Sequence, residues 1–224
     1  MRDRTVLVTG FEPFGGETVN ASWEAARAID GWRCGEAVAV AIRLPCAYEA
    51  CVRDFLEAFE RLRPGAVLMS GQAARRAVVC VESVARNRSS VAAPDNRGVI
   101  RAPTASDGPA EIETTAHARA VVRAIREAGL AARVSTNAGG YVCHHLYYGA
   151  LNFLRQQAAA TPAIFVHLPA TPEQSPRRAS RRRLATADGA SALKAAIAAM
   201  VEGRASAPPE RSELAFSARE RSRA

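Results

Sequence analysis

The chain has 224 residues, 48% hydrophobic and 23% charged, with a net charge of +8. That length suits one large α/β domain, and no apolar run reaches the length of a membrane span, so no membrane partner is expected. The positive charge raises the question of nucleic acid, yet Lys194 is the only lysine, and the densest cluster, Arg177-Arg178 with Arg181-Arg182-Arg183, has no interleaved aromatics; it reads as a solvated basic loop, with no nucleic-acid partner.

Residues 5–9 (TVLVT) read as a buried strand ahead of Gly10, with no signal peptide before it. Residues 11–20 form a loop rich in glycine and aromatics, and Asn20 or Ser22 can cap a helix running to Ile29. Residues 37–44 are the second strand. The next helix sets Val52, Phe55, Leu56, Phe59 and Leu62 on one face and ends at Pro64-Gly65. Residues 66–69 are a third buried strand, with Gly71 opening a loop. Residues 77–84 are apolar and β-branched and hold one carboxylate, Glu82. Residues 86–109 are polar and irregular, with turns at Pro94-Asp95-Asn96 and Asp107-Gly108-Pro109.

Residues 116–128 read as a helix with Val121, Val122 and Ile125 inward and Gly129 as its cap. A strand at 131–135 precedes a helix at 142–156, in which Leu146, Leu151 and Leu154 can pack. A strand at 163–168 carries His167, and a last helix covers 187–201. Residues 1–202 are expected to form one α/β domain, with helices on both sides of a largely parallel sheet. Residues 203–224 lack sustained periodicity and are expected to be a mobile charged tail.

The five cysteines, Cys34, Cys46, Cys51, Cys80 and Cys143, have no framework spacing, which implies reduced thiols in a cytoplasmic setting. There is no CxxC and no Cys/His cluster, and His144 and His145 are adjacent, so on a helix they diverge; no metal site is expected. Cys143 follows a glycine pair between strand and helix, which places its thiol near a helix start, where unpaired N–H groups favour a thiolate. It is either a nucleophile or a small buried apolar residue. Glu82 within a strand is either solvent-facing, salt-bridged or catalytic, and His167 is either a satisfied core histidine or a base. Together the three supply a nucleophile, a base and a carboxylate to orient the base.

Several motifs carry a resemblance. VLVTGFEPFGG with Asn20, Ser22 and Trp23 behind it, SGQA at 70–73, VES at 81–83, PDN at 94–96, DGP at 107–109, NAGGYVCHHLYYG at 137–149 and FVHLP at 165–169 resemble pyroglutamyl-peptidase I, a family of cysteine peptidases, in order over residues 5–174. The resemblance implies an α/β/α sandwich around a twisted mixed sheet and removal of an N-terminal pyroglutamyl residue from peptides, without cofactor, by a homotetramer. It places the catalytic cysteine, histidine and glutamate on Cys143, His167 and Glu82, the lactam pocket on Phe11, Phe14 and Gln72, and a loop-holding asparagine on Asn20. A different small N-acyl or lactam group, or binding with weak catalysis, are the alternatives. Departures from the family pattern are Ala74 and Arg75 for glycines, Ser83 for arginine, Ala92-Ala93 for Arg-Ile and His144 for asparagine. Loss of the family's arginine at Ala92 leaves oxyanion stabilisation to backbone donors, the alternative being that Arg75, Arg76 or Arg86 has taken over its role.

Overall fold

The computed structural model describes residues 4–88, 93–100, 108–174 and 183–205. In chain order the elements are β1 (Thr5–Phe11), α1 (Ala21–Arg27), β2 (Arg33–Cys34), β3 (Ala37–Leu44), α2 (Tyr48–Leu62), β4 (Ala66–Gln72), β5 (Val79–Glu82), β6 (Val84–Arg86), β7 (Glu111–Glu113), α3 (Ala118–Glu127), β8 (Ala132–Ser135), α4 (Val142–Gln156), β9 (Ala163–Leu168) and α5 (Thr186–Ala205). Seven strands form one sheet, ordered β2-β3-β1-β4-β9-β5-β8; β6 and β7 pair separately.

Every residue of β4 and β9 is buried, because helices cover both faces of the sheet. Val6, Val8, Leu68, Ile164 and Val166 share one apolar layer with α1, α3 and α5. Leu7, Val67, Met69 and Phe165 share the other with α2 and α4. This period-two division of each strand between two helix layers is the expected α/β/α sandwich. The sheet is mostly parallel, as expected, but β2 runs antiparallel to β3 and β5 antiparallel to β9.

Helix α4 has the expected bounds, and Val121, Val122 and Ile125 of α3 are buried as its spacing requires. Asn20, rather than Ser22, caps α1, its Oδ1 accepting from the Ser22 N–H at 3.0 Å. Residues 77–84 do not make one strand. Ser83 takes its N–H to Ser135 O and gives its carbonyl to Thr114 N, so the chain leaves one sheet for the other at this residue. Helix α5 runs to Ala205, past the expected start of the tail at 203; residues 206–224 lie outside the described residues. Arg177, Arg178, Arg181 and Arg182 also lie outside them. Arg183 is not a solvated loop residue: it donates to the carbonyls of Thr171 and Gln174 at 2.9 and 2.5 Å.

Candidate active site

The reversal of direction between β9 and β5 builds the charged half of the site. Cys80 stands directly across the ladder from His167, and Glu82 stands across from Phe165. All four side chains therefore face the α2/α4 layer, and Glu82 reaches the imidazole along the diagonal. Its Oε1 lies 2.8 Å from His167 Nδ1. Glu82 is 0% exposed and His167 3% exposed. An ionised carboxylate can only accept, so Nδ1 carries the proton and Nε2 keeps a lone pair. Glu82 is thus not solvent-facing: it is buried and paired, with Arg76 as well as His167.

Cys143 comes from the other side. Gly139 adopts φ 84, a left-handed turn that an L side chain resists, and the chain enters α4 at Val142 with Tyr141 as its cap. Cys143 is therefore in the first helical turn, as the glycine pair implies. His144 and His145 both donate their N–H to Tyr141 O, which leaves the N–H groups of Val142 and Cys143 ahead of the helix's own bonding. The sulfur lies over Gly71: a Cβ there would stand 2.8 Å from Sγ and 2.8 Å from the Phe165 ring. Gly71 pairs with His167 across the β4–β9 ladder, so nucleophile and imidazole occupy the same face of neighbouring strands.

That contact sets one expected result. Gly71→Ala should displace the sulfur or the Phe165 ring and lower kcat by about 10²-fold, the cost of a misplacement of roughly an ångström. Overpacking should also cost about 1–3 kcal/mol of stability. Steady-state kinetics with thermal unfolding check both; a variant with wild-type kcat would show that Sγ is not held against this strand.

The electrostatics favour a neutral resting pair. Burial, then Cys46, push the Cys143 thiol well above the ordinary thiol range, with a smaller push from Glu82; its own N–H and Arg76 pull the other way and do not win. Loss of solvation thus opposes the thiolate that the helix start alone favours. Burial also lowers the His167 pKa, against the raising effect of Glu82. Glu82 is held below the ordinary carboxylate range; burial works against this, and His167 and Arg76 outweigh it.

The pocket residues gather at the carboxyl ends of β1 and β4. Phe11 ends β1 and is buried, and Phe14, half-buried, packs on Tyr141 with ring centroids 5.8 Å apart; both join the apolar cluster that includes Cys143. Asn20 Nδ2 donates to Glu12 O at 2.9 Å, across the loop between β1 and α1. Gln72 points to the opposite sheet face, where its Oε1 accepts from Ala21 N and from Gln174 Nε2, each at 2.9 Å. Sequence reasoning missed Glu12, whose carboxylate ties this loop to Cys46 N and to Asn96 Nδ2. It also missed Gln174. A glutamate inside GFEPFGG and a glutamine in a loop carry no periodicity that would single them out.

A family model described as pyroglutamyl peptidase matches residues 4–203. The chain belongs to the pyroglutamyl peptidase family. Pyrrolidone-carboxylate peptidase of Cupriavidus taiwanensis is 43% identical over 204 residues, covering 90% of this chain and 94% of the relative. That of Chromobacterium violaceum is 42% identical, covering 87% and 91%. The crystal structure of Bacillus amyloliquefaciens pyroglutamyl peptidase I superposes with a TM-score of 0.84 at 33% identity, covering 88% of this chain and 97% of that one. This pyroglutamyl peptidase family member is thus a hydrolase with the expected sandwich fold. Several of the positions noted above as departures from the family pattern fall among the described residues. His144 is buried, with Nε2 2.5 Å from Arg86 O, while His145 turns toward Tyr48; the two histidines diverge, as adjacent helical residues must. Ala92 lies outside the described residues. Of the substitute arginines, Arg75 is exposed, Arg86 pairs with Glu111 and with Thr136 O, and Arg76 bonds Glu82.

Proposed function

We propose that the chain removes an N-terminal pyroglutamyl residue from peptides through a thioester on Cys143, with His167 as base and Glu82 as its orienting carboxylate. The buried Glu82–His167 pair, on the strand face where Cys143 lies over Gly71, supports this most directly. With both groups neutral at rest, His167 Nε2 takes the thiol proton as sulfur attacks the pyroglutamyl carbonyl. The oxyanion that forms is met by the N–H groups of Val142 and Cys143. His167 then protonates the departing amine, and water hydrolyses the thioester. Glu82 fixes the tautomer and stabilises the imidazolium.

Phe11 and Phe14 cover the flat lactam, and Gln72 reads it. Its side chain is held on the opposite sheet face by Ala21 and Gln174, so the contact to the lactam is assigned to the Gln72 main chain at the end of β4. Asn20 holds the loop that carries both phenylalanines. The reaction needs no cofactor and no metal. The free cysteines support a reducing, cytoplasmic setting. Among the described residues no helix is long and apolar enough to cross a membrane. By family likeness the enzyme is a homotetramer, with catalysis in a single domain ending near residue 202.

A chromogenic pyroglutamyl amide should be turned over, and the prolyl analogue about 10⁴-fold more slowly in kcat/KM, because proline leaves the buried polar groups of the pocket unmatched. Preference for an N-acetyl or prolyl amide would assign the site to another acyl group. Tight binding of a pyroglutamyl peptide without turnover would make the protein a binder.

A further inference from the structure

Arg76 holds two parts of the site at once. Its Nη1 lies 2.6 Å from Glu82 Oε1, the same oxygen that His167 Nδ1 meets at 2.8 Å. Its Nη2 lies 2.6 Å from the carbonyl oxygen of Asn137, the residue that opens the turn into Cys143. The guanidinium is 19% exposed and the carboxylate 0%. Glu82 Oε2 has no hydrogen-bond partner among the described residues, so Oε1 carries both contacts. Two of the guanidinium nitrogens are thereby committed, to groups that are not substrate.

We infer that Arg76 is a positioning residue of the triad: it locks the Glu82 carboxylate against His167, ties that carboxylate to the loop that delivers Cys143, and places a fixed positive charge beside the imidazole. This rests on the triad reading above. Arg76 is accordingly not a replacement oxyanion donor.

A planar fork bonded at two points fixes distance and angle together, which a single ammonium contact does not. Glu82 without Arg76 would keep one bond from His167 and swing about it. The loop before Cys143 would lose its tie across the site. The charge has a separate effect. Sharing one oxygen, the guanidinium and the imidazole lie close enough for about one to three pKa units of mutual influence. The other titratable groups packed here are Cys80 across the ladder, Cys46 and Cys51 on the α2 side, Tyr147 of α4, whose hydroxyl donates to Glu82 O, and Cys143 itself. Burial holds the Cys51 and Tyr147 pKa values above their ordinary ranges, and that of Cys46 rises to about 12. Glu82 is the negative charge of this group at neutral pH, and Arg76 is the positive charge that faces it.

The sign follows. Arg76 lowers the pKa of both His167 and Cys143. Removing its charge raises both, so the acid limb of kcat/KM, where His167 loses its proton to become a base, moves to higher pH. Arg76→Gln should shift that limb up by about one unit and lower kcat by about 10²-fold with little change in KM. Arg76→Lys should restore the position of the limb, because the charge returns, but leave kcat below wild type, because the two-point tie does not.

The test is the pH dependence of a pyroglutamyl amide assay on wild type, Arg76→Gln and Arg76→Lys, with thermal unfolding of each. An unmoved acid limb in a folded Arg76→Gln, or wild-type kcat in Arg76→Lys, overturns the inference. If Arg76→Gln does not fold, Arg76→Lys decides: a reduced kcat at unchanged limb and KM supports it. Iodoacetamide alkylation of Cys143 in wild type is run beside these. Activity surviving that modification refutes the triad itself, a failure distinct from that of Arg76.

Discussion

Cys143→Ala is expected to lose turnover of a pyroglutamyl amide by a factor on the order of 10⁶ in kcat, as removal of a nucleophile does elsewhere. No other thiol can replace it. Cys51 and Cys80 are 0% exposed and Cys46 2% exposed. Cys34 is accessible at the β2 edge, remote in sequence from every site residue. Iodoacetamide should therefore inactivate in step with modification of Cys143, and modification of Cys34 should be silent. Mass spectrometric mapping against residual activity reads this out. Substantial turnover by Cys143→Ala would end the thioester mechanism.

His167→Ala should approach the same loss, whereas Glu82→Gln should cost about 10⁴-fold, because the base moves the proton and the carboxylate orients the base. The pH profile separates the two roles further. Burial depresses the His167 pKa and Glu82 partly restores it. The wild-type acid limb should therefore lie below the ordinary histidine range, near pH 6.5. Neutralising Glu82 removes the restoring charge, so the limb of Glu82→Gln should move to lower pH, opposite to the shift expected for Arg76→Gln. A Glu82→Gln enzyme with wild-type kcat and an unmoved limb would remove Glu82 from the triad.

Local pattern settled much of this protein in advance. The period of α4 and the apolar spacing of α3 report which helical face meets a core, a property of a dozen neighbouring residues, and the structure keeps those faces; on α2 the buried stripe is Tyr48, Cys51, Phe55 and Ala58, with Val52, Leu56, Phe59 and Leu62 half-buried beside it. Runs such as AVLM and AIFV are apolar on both sides because a sheet covered on both faces demands it. Cys143 was legible as a helix-start thiol because glycine, thiol and helix lie within a few residues of each other. The motif order pointed to Glu82 and His167, but nothing within either strand states that they meet.

Only the tertiary structure decided that meeting. Residues 82 and 167 touch because β5 runs antiparallel to β9 in an otherwise mostly parallel sheet, and pairing direction depends on chain far from either strand. The break at Ser83 was equally hidden: a serine in a β-branched run is compatible with one strand, and only the competing ladders of β8 and of the antiparallel β6–β7 pair divide it. Arg76 read as one of many arginines until the fold closed it onto Glu82 and Asn137 O. The opposing forces on the Cys143 thiol were hidden in the same way. A helix terminus is a local feature visible in sequence, while the burial that outweighs it is the summed effect of side chains drawn from across the whole chain.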